Sequence, residues 1–357
     1  MAAEAPEISE VTKRTVPISG ALAAVSPEIG RSLFYEVTCH DDGVAAMGGI
    51  SAALVALPGG GKSTLLMQIA QIANHVNGHA AKLDVINLKN QHVPETVIWR
   101  GLEYDHWACF IQEYWMRSFP KHANPKPIRL HMHHRDRLTF YLDFEKKPYQ
   151  LMLSGDDIKF YNGPDELYAN LLPGGINVVY EPQEYYLTSK TLQRIMASRL
   201  KATKYEDQED IRAPSFMWWY EFIETLSRIK KRGEYYTLII DEAARLFPFG
   251  AQGDHWHMIG WLVETLIHLR KKNISTFFAI HGLDLIDPRV AKRIQYFIWL
   301  PGSLPGTRNN MVTASLVGRL PLGWGIIEQP RRRFGRFRFG RIPRQPPVVQ
   351  AVGLSGI

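Results

Sequence analysis

A short apolar run that breaks into three glycines and a lysine constrains this chain more than any other feature. In SAALVALPGGGKSTLLMQIAQIANHVNG (51–78), Pro58, Gly59, Gly60 and Gly61 interrupt apolar residues, and Lys62, Ser63 and Thr64 open a helix-periodic segment. The pattern predicts a strand over Ala52–Leu57, a tight loop, and a helix that stops near Gly78. ALPGGGKS (56–63) has the spacing of the phosphate-binding loop G-x-x-x-x-G-K-[ST], with Ala56 at the first glycine position. Glycine permits the backbone angles that turn successive N–H groups inward around a phosphate, with no Cβ in the way. The positive end of the following helix adds to that attraction. The nucleotide-binding set read from the sequence is therefore Pro58, Gly59, Gly60, Gly61, Lys62, Ser63 and Thr64. Lys62 is expected to reach the β- and γ-phosphates of ATP and Ser63 to ligate Mg²⁺. The alternative is a glycine turn with a surface lysine.

A second element points the same way. TLIIDEAARLF (237–247) is an apolar strand that ends in Asp241 and Glu242, which places two carboxylates where open α/β sheets bind ligands. Asp241 would hold Mg²⁺ through water, and Glu242 would orient and deprotonate the attacking water. Both acids could instead serve as caps of the next helix.

Around these motifs, strands alternate with helices, which predicts a mainly parallel sheet covered on both faces. Strands are expected at 235–241, 275–281 and YFIWLPG (296–302), with helices over 211–233 and 257–272 and a small one at DELYANLL (165–172). SLFYEVTCH (32–40) reads as a strand within an accessory arm, 1–48. The core spans 49–330, with a strand-rich insertion at about 94–180, and 331–357 forms an arginine-rich C-terminal strand and tail.

ALPGGGKSTLL, LIIDEAARL, LRKKNISTFFAIH, DPRVAKRIQYFIWLPG and LGWGIIEQPRRRFGRFRFGRIP occur in an order that resembles the HerA/FtsK superfamily of P-loop ATPases. These are ring-forming motors that translocate duplex DNA and include viral genome-packaging ATPases. The resemblance covers about residues 50–345 and implies an α/β, RecA-like P-loop NTPase core with a C-terminal β-hairpin. It further implies a homo-oligomeric ring, a hexamer, in which ATP hydrolysis drives duplex DNA. His281 stands where the family has a polar sensor, commonly glutamine, although a histidine at a strand end can equally be structural. Arg270 matches the arginine of the family's Arg-Lys pair, a candidate for acting on a neighbouring subunit's ATP, with Arg293 in reserve. A cation favoured by the helix C-terminus is the equal alternative for Arg270. The family's acid after the second strand is missing from LDVINLKN, which offers Asn87; VIWRGLEYD offers Glu103 and Asp105.

The net charge of +7 lies wholly in residues 329–357, which hold seven arginines and no acid. In GRFRFGR, period-two alternation puts Arg336 and Arg338 on one strand face and Phe337 and Phe339 on the other. The arginines suit a polyanion, duplex DNA above all, or a subunit interface. A capsid or membrane docking protein is a further expected partner.

Other features mostly exclude. Cys39 and Cys109 make no disulfide framework, no apolar run reaches the ~18 residues of a membrane span, and the N-terminus lacks a signal-peptide pattern. The expected location is the cytoplasm, of an infected host cell, or the virion. His131, His133 and His134, with His255 and His257, read as polar strand or surface residues rather than a metal site. Trp218, Trp219 and Tyr220 read as packing residues. Two other functions fit the motifs: an ATPase for secretion, conjugation or filamentous-phage assembly, and a nucleotide-gated scaffold with little turnover.

Overall fold

The computed structural model describes residues 22–41, 49–76, 92–102, 126–142, 147–149, 158–194, 211–230, 234–305, 311–339 and 349–354. Its main sheet is built from β1 (Ser51–Val55), β2 (Thr96–Gly101), β3 (Ile128–His133), β4 (Ile158–Tyr161), β5 (Ile176–Tyr180), β6 (Tyr236–Ile240), β7 (Ile274–Ile280), β8 (Tyr296–Trp299), β9 (Trp324–Gln329) and β10 (Arg333–Arg338). Their order across the sheet is β10-β9-β8-β1-β7-β6-β2-β5-β3-β4. From β8 to β4 every neighbouring pair is parallel, and β9 and β10 add an antiparallel hairpin at the edge. This is the α/β, RecA-like arrangement expected from the sequence.

Every residue of β1, β2, β5, β6 and β7 is buried, which is why these strands read as continuous apolar runs rather than alternating ones. On one face, Ala53, Val55, Leu238, Ile240, Phe278 and Ile280 pack beneath two helices. One is α4 (Trp218–Ile229) and the other α6 (Gly253–Lys271), with the short α5 (Ala243–Leu246) between them in the chain. The opposite face, with Ala52, Leu54, Ile239 and Phe277, is covered by α2 (Lys62–Ile72) through Leu65, Leu66 and Ile69. Trp218, Trp219 and Tyr220 are all buried, and Trp218 stacks on Phe222 at 5.2 Å. The small helix in DELYANLL is α3 (Pro164–Asn170), with proline at its first turn. The helix expected over 211–233 is shorter, because Pro214 separates a strand at Ile211–Ala213 from a 3₁₀ turn and α4.

One expectation is corrected by this architecture. SLFYEVTCH is not a strand: its first seven residues, 32–38, belong to helix α1 (Pro27–Thr38). The local signals are Pro27 in the first turn, the Ser26 hydroxyl accepting the Ile29 N–H at 3.2 Å, and Leu33 and Val37 one helical turn apart on the buried face. Within the strand-rich 94–180 stretch, β2, β3, β4 and β5 join the main sheet, while Arg137–Leu142 and Lys147–Tyr149 pair in a smaller sheet. The C-terminal segment supplies the expected strand of a β-hairpin. Its first half is the edge strand β10, and Val349–Leu354 pairs antiparallel with Arg137–Leu142.

Helix α1 lies along that edge. Phe34 stacks on Phe337 at 4.8 Å, and Gly30 sits so close that a Cβ there would fall 1.9 Å from the Arg336 carbonyl oxygen. Only glycine allows this contact. Among the described residues no helix is long and apolar enough to cross a membrane.

Candidate nucleotide site

Strand order creates the site. Because β7 lies between β1 and β6 and all three are parallel, their C-terminal ends open on the same edge of the sheet. The glycine loop leaves β1, Asp241 and Glu242 follow β6, and His281 follows β7. Lys62 Nζ lies 3.4 Å from Glu242 Oε1 and 3.3 Å from His281 Nε2. His281 Nε2 is 3.0 Å from Glu242 Oε1, and its Nδ1 is 3.1 Å from the Ala56 carbonyl oxygen. The Lys62, Glu242 and His281 side chains from three separate segments thus converge on one point.

The loop has the backbone that its sequence requires. Gly59 (φ 79°) and Gly61 (φ 91°) are left-handed, and Gly61 is the N-cap of α2. A Cβ on Gly60 would come within 2.8 Å of the Pro301 carbonyl oxygen, whereas one on Gly59 would meet nothing within 4 Å. Gly59 therefore faces open space, as a loop that admits a phosphate must. Lys62 is buried, and Ser63 and Thr64 are half-buried at the helix start. Pro58 is exposed at the mouth.

The two acids occupy different environments. Asp241 is 6 % exposed and accepts the Glu242 N–H at 2.9 Å. Burial pushes its carboxyl above the usual carboxylate range, partly offset by the nearby Lys62 ammonium. Glu242 is half-buried and left-handed (φ 49°, ψ 47°), a strained backbone for a non-glycine residue and one often found at functional sites. The donor set fits a magnesium nucleotide. The Ser63 hydroxyl and the Asp241 carboxylate are hard oxygen ligands, and a divalent cation would favour the ionised Asp241 that burial opposes.

One supporting group has no counterpart in the sequence reading. Arg100, at the end of β2, is fully buried. It donates to the Asp241 carbonyl at 2.9 Å and to Glu181 Oε2 from both Nε (3.1 Å) and Nη2 (2.9 Å). It thereby ties the Asp241 turn to the end of β5. VIWRG and VVYEP each end a buried strand in a charged residue, which is the signal that could have found the pair. This placement makes Thr96–Gly101 the strand beside β6; Asn87, Glu103 and Asp105 lie outside the described residues.

Arg270 is not part of this cluster. It sits in the last turn of α6, before β7, with Nε 3.3 Å from the Gly49 carbonyl oxygen. The length of β7 separates it from His281 by about 20 Å. Arg293, the reserve candidate, lies beside it around the same pocket. Neither arginine serves its own chain's nucleotide site directly.

The C-terminal strand has the expected alternation, with Phe337 and Phe339 buried and Arg338 exposed. The Phe339 ring would lie 3.0 Å from a Cβ on Gly61, so the strand's end abuts the glycine loop. Arg336 is half-buried: it donates to the Leu22 carbonyl at 3.2 Å and lies 5.8 Å from the centre of the Trp324 ring. His131 is fully buried against Asn177, and His255 contacts the Leu246 carbonyl.

Compared with family models and with curated proteins, the sequence matches none. Among solved structures it is similar to the N-terminal domain of zonular occludens toxin from Neisseria meningitidis, at 10% identity, TM-score 0.31, over 83% of this chain and 96% of that one. It is also similar to the genome packaging NTPase B204 from Sulfolobus turreted icosahedral virus 2, at 12% identity, TM-score 0.33, over 70% and 98%. A third is the cytoplasmic domain of the Type VII secretion ATPase EccC from Thermomonospora curvata, at 12% identity and TM-score 0.32, over 85% of this chain and 27% of that one. At this level of likeness, the site's own geometry carries the functional reading. The chain thus combines an α/β fold with a glycine loop after β1 whose mouth gathers Lys62, Glu242 and His281, the layout of a P-loop nucleotide site.

Proposed function

We propose that this chain is an ATP-hydrolysing ring motor that moves duplex DNA, in the role of a viral genome-packaging ATPase. The observation that carries its enzymatic half is the convergence of Lys62, Glu242 and His281 at the mouth of the glycine loop. The loop N–H groups and Lys62 would hold the phosphates of ATP. Bound Mg²⁺, held by Ser63 and Asp241, would supply charge neutralisation at the β- and γ-phosphates. Glu242 is exposed enough to meet a water molecule and would take its proton. His281, anchored on the Ala56 carbonyl, would orient the same water or the γ-phosphate.

The motor half is supported by the motif order and by the arginine-rich C-terminal strand that ends against the loop. That contact gives a path by which filling of the loop could shift the edge hairpin. Arg338 is exposed for phosphate contact, whereas Arg336 is half-buried and must leave the Leu22 carbonyl, ahead of α1, before it can join. In a hexameric ring, Arg270 would act across a subunit boundary, and a capsid protein would be the docking partner. The cytoplasm of an infected cell is the proposed place of work.

Steady-state ATPase activity, measured with and without duplex DNA, tests this reading. Stimulation by duplex supports it. Stimulation only by a protein partner favours a secretion ATPase instead, and negligible turnover by the purified oligomer favours a scaffold.

A further inference from the structure

At the edge of the sheet opposite the glycine loop there is a pocket of about 240 Å³. Its polar lining consists of Ser51, Arg270, Lys292, Arg293 and Gln295, with apolar side chains between them and no carboxylate among the lining residues. Three cations meet there. Arg293 has an ion-pair partner, Glu264, at a loose 3.8 Å with both side chains largely in water. Arg270 uses Nε on the Gly49 carbonyl, and burial lowers its affinity for its proton, with the Tyr296 hydroxyl as the neighbouring group that opposes this.

The C-terminal end of α6 would attract cations here in any case. It does not account for Ser51. That side chain is 2 % exposed, and its Oγ has no hydrogen-bond partner among the described residues, a costly state for a buried hydroxyl. Its neighbour Gln295 accepts the Ser51 N–H through Oε1 at 3.1 Å, which leaves the amide NH₂ of Gln295 as the donor end. The polar groups at this pocket are therefore a guanidinium, an ammonium, a second guanidinium, an amide NH₂ and an unmatched hydroxyl. A group with several acceptor oxygens and negative charge satisfies all of them at once.

We propose that this pocket is a second phosphate site, separate from the nucleotide loop, which takes a phosphate group between Arg270, Arg293 and Lys292, with the Ser51 hydroxyl donating to one of its oxygens. The site is formed within one chain, and Arg270 can either hold this phosphate or act across a subunit boundary, not both at once. Its phosphate comes either from a free phosphate compound or from the backbone of nucleic acid, which share the same chemistry.

The test uses the full chain carrying Lys62→Ala, so that the glycine loop is weakened as a phosphate binder, titrated calorimetrically with inorganic pyrophosphate at low salt. Binding is expected to survive in this background. Adding Arg270→Gln or Arg293→Gln should weaken it about tenfold, and Ser51→Ala about threefold. Arg293 is half-exposed and Ser51→Ala only deletes a hydroxyl, so circular dichroism should show both variants folded. No pyrophosphate binding in the Lys62→Ala chain, or unchanged binding in folded Arg293→Gln and Ser51→Ala chains, overturns the proposal. Short duplex DNA in the same titrations identifies the source. Affinity that falls with the same substitutions assigns the phosphate to nucleic acid, and affinity that stays constant while pyrophosphate binding falls assigns it to a free phosphate compound.

Discussion

His281 and His131 belong to one parallel sheet, one just past a strand end and one inside a strand, and their surroundings differ. His281 lies just beyond the C-terminal end of β7, half-buried, with an ammonium, a carboxylate and a carbonyl within 3.3 Å. His131 lies inside β3, fully buried, with Nε2 2.9 Å from Asn177 Oδ1. Asn177 Nδ2 donates to the Val97 and Leu172 carbonyls, so its Oδ1 accepts and His131 Nε2 must donate. Burial holds His131 neutral, with its pKa lowered to about 4. The difference teaches that a residue type signals chemistry here only at the strand ends, where the sheet opens, while the same type within a strand secures a turn.

The largest effect that could break this contrast is expected at Lys62. Lys62→Ala should reduce ATP binding and turnover by at least about 100-fold, read by fluorescent-nucleotide titration and phosphate release. A variant that still binds and hydrolyses ATP normally would show that the strand-end cluster is structural, like the one at His131. Glu242→Gln comes next. Hydrolysis should fall about 100-fold while ATP binding stays near wild type, because only the proton acceptor is lost. Parallel loss of both would recast Glu242 as a partner of Lys62 alone.

His281→Gln sharpens the comparison further. Glutamine can still donate a hydrogen bond, so turnover should drop by no more than about tenfold, while His281→Ala should drop further. The smallest effect is expected at His131, and it should appear in stability rather than catalysis. Its folded pKa of about 4 lies below the ordinary 6.5, so the unfolded chain takes up the proton first. Its contribution to stability is complete above pH 6.5 and is lost as pH falls toward 4, by on the order of 3 kcal/mol. His131→Gln should flatten that part of the denaturation-versus-pH curve and leave ATPase activity unchanged.

Legibility followed the same division. The glycine loop was readable because its residues are contiguous and glycine's backbone freedom is a local property. So were β6 and β7, whose unbroken apolar runs announce strands covered on both faces. SLFYEVTCH was misread because Phe, Tyr, Val and Thr favour strands, and the helix depends on Ser26 and Pro27 just before the segment and on the hairpin beneath it. The Arg100–Glu181 pair spans 81 positions, and no spacing rule links two charged residues that meet only when β2 and β5 lie side by side.

By itself, the sequence determined the glycine loop and the paired carboxylates at the end of an apolar strand, because both are written in consecutive residues. Only the tertiary structure decided that β7 enters between β1 and β6, bringing Lys62, Glu242 and His281 within hydrogen-bonding distance while leaving Arg270 at the far edge of the sheet. The physical reason is that strand order is set by non-local packing on two buried faces, and that order selects which strand ends become neighbours.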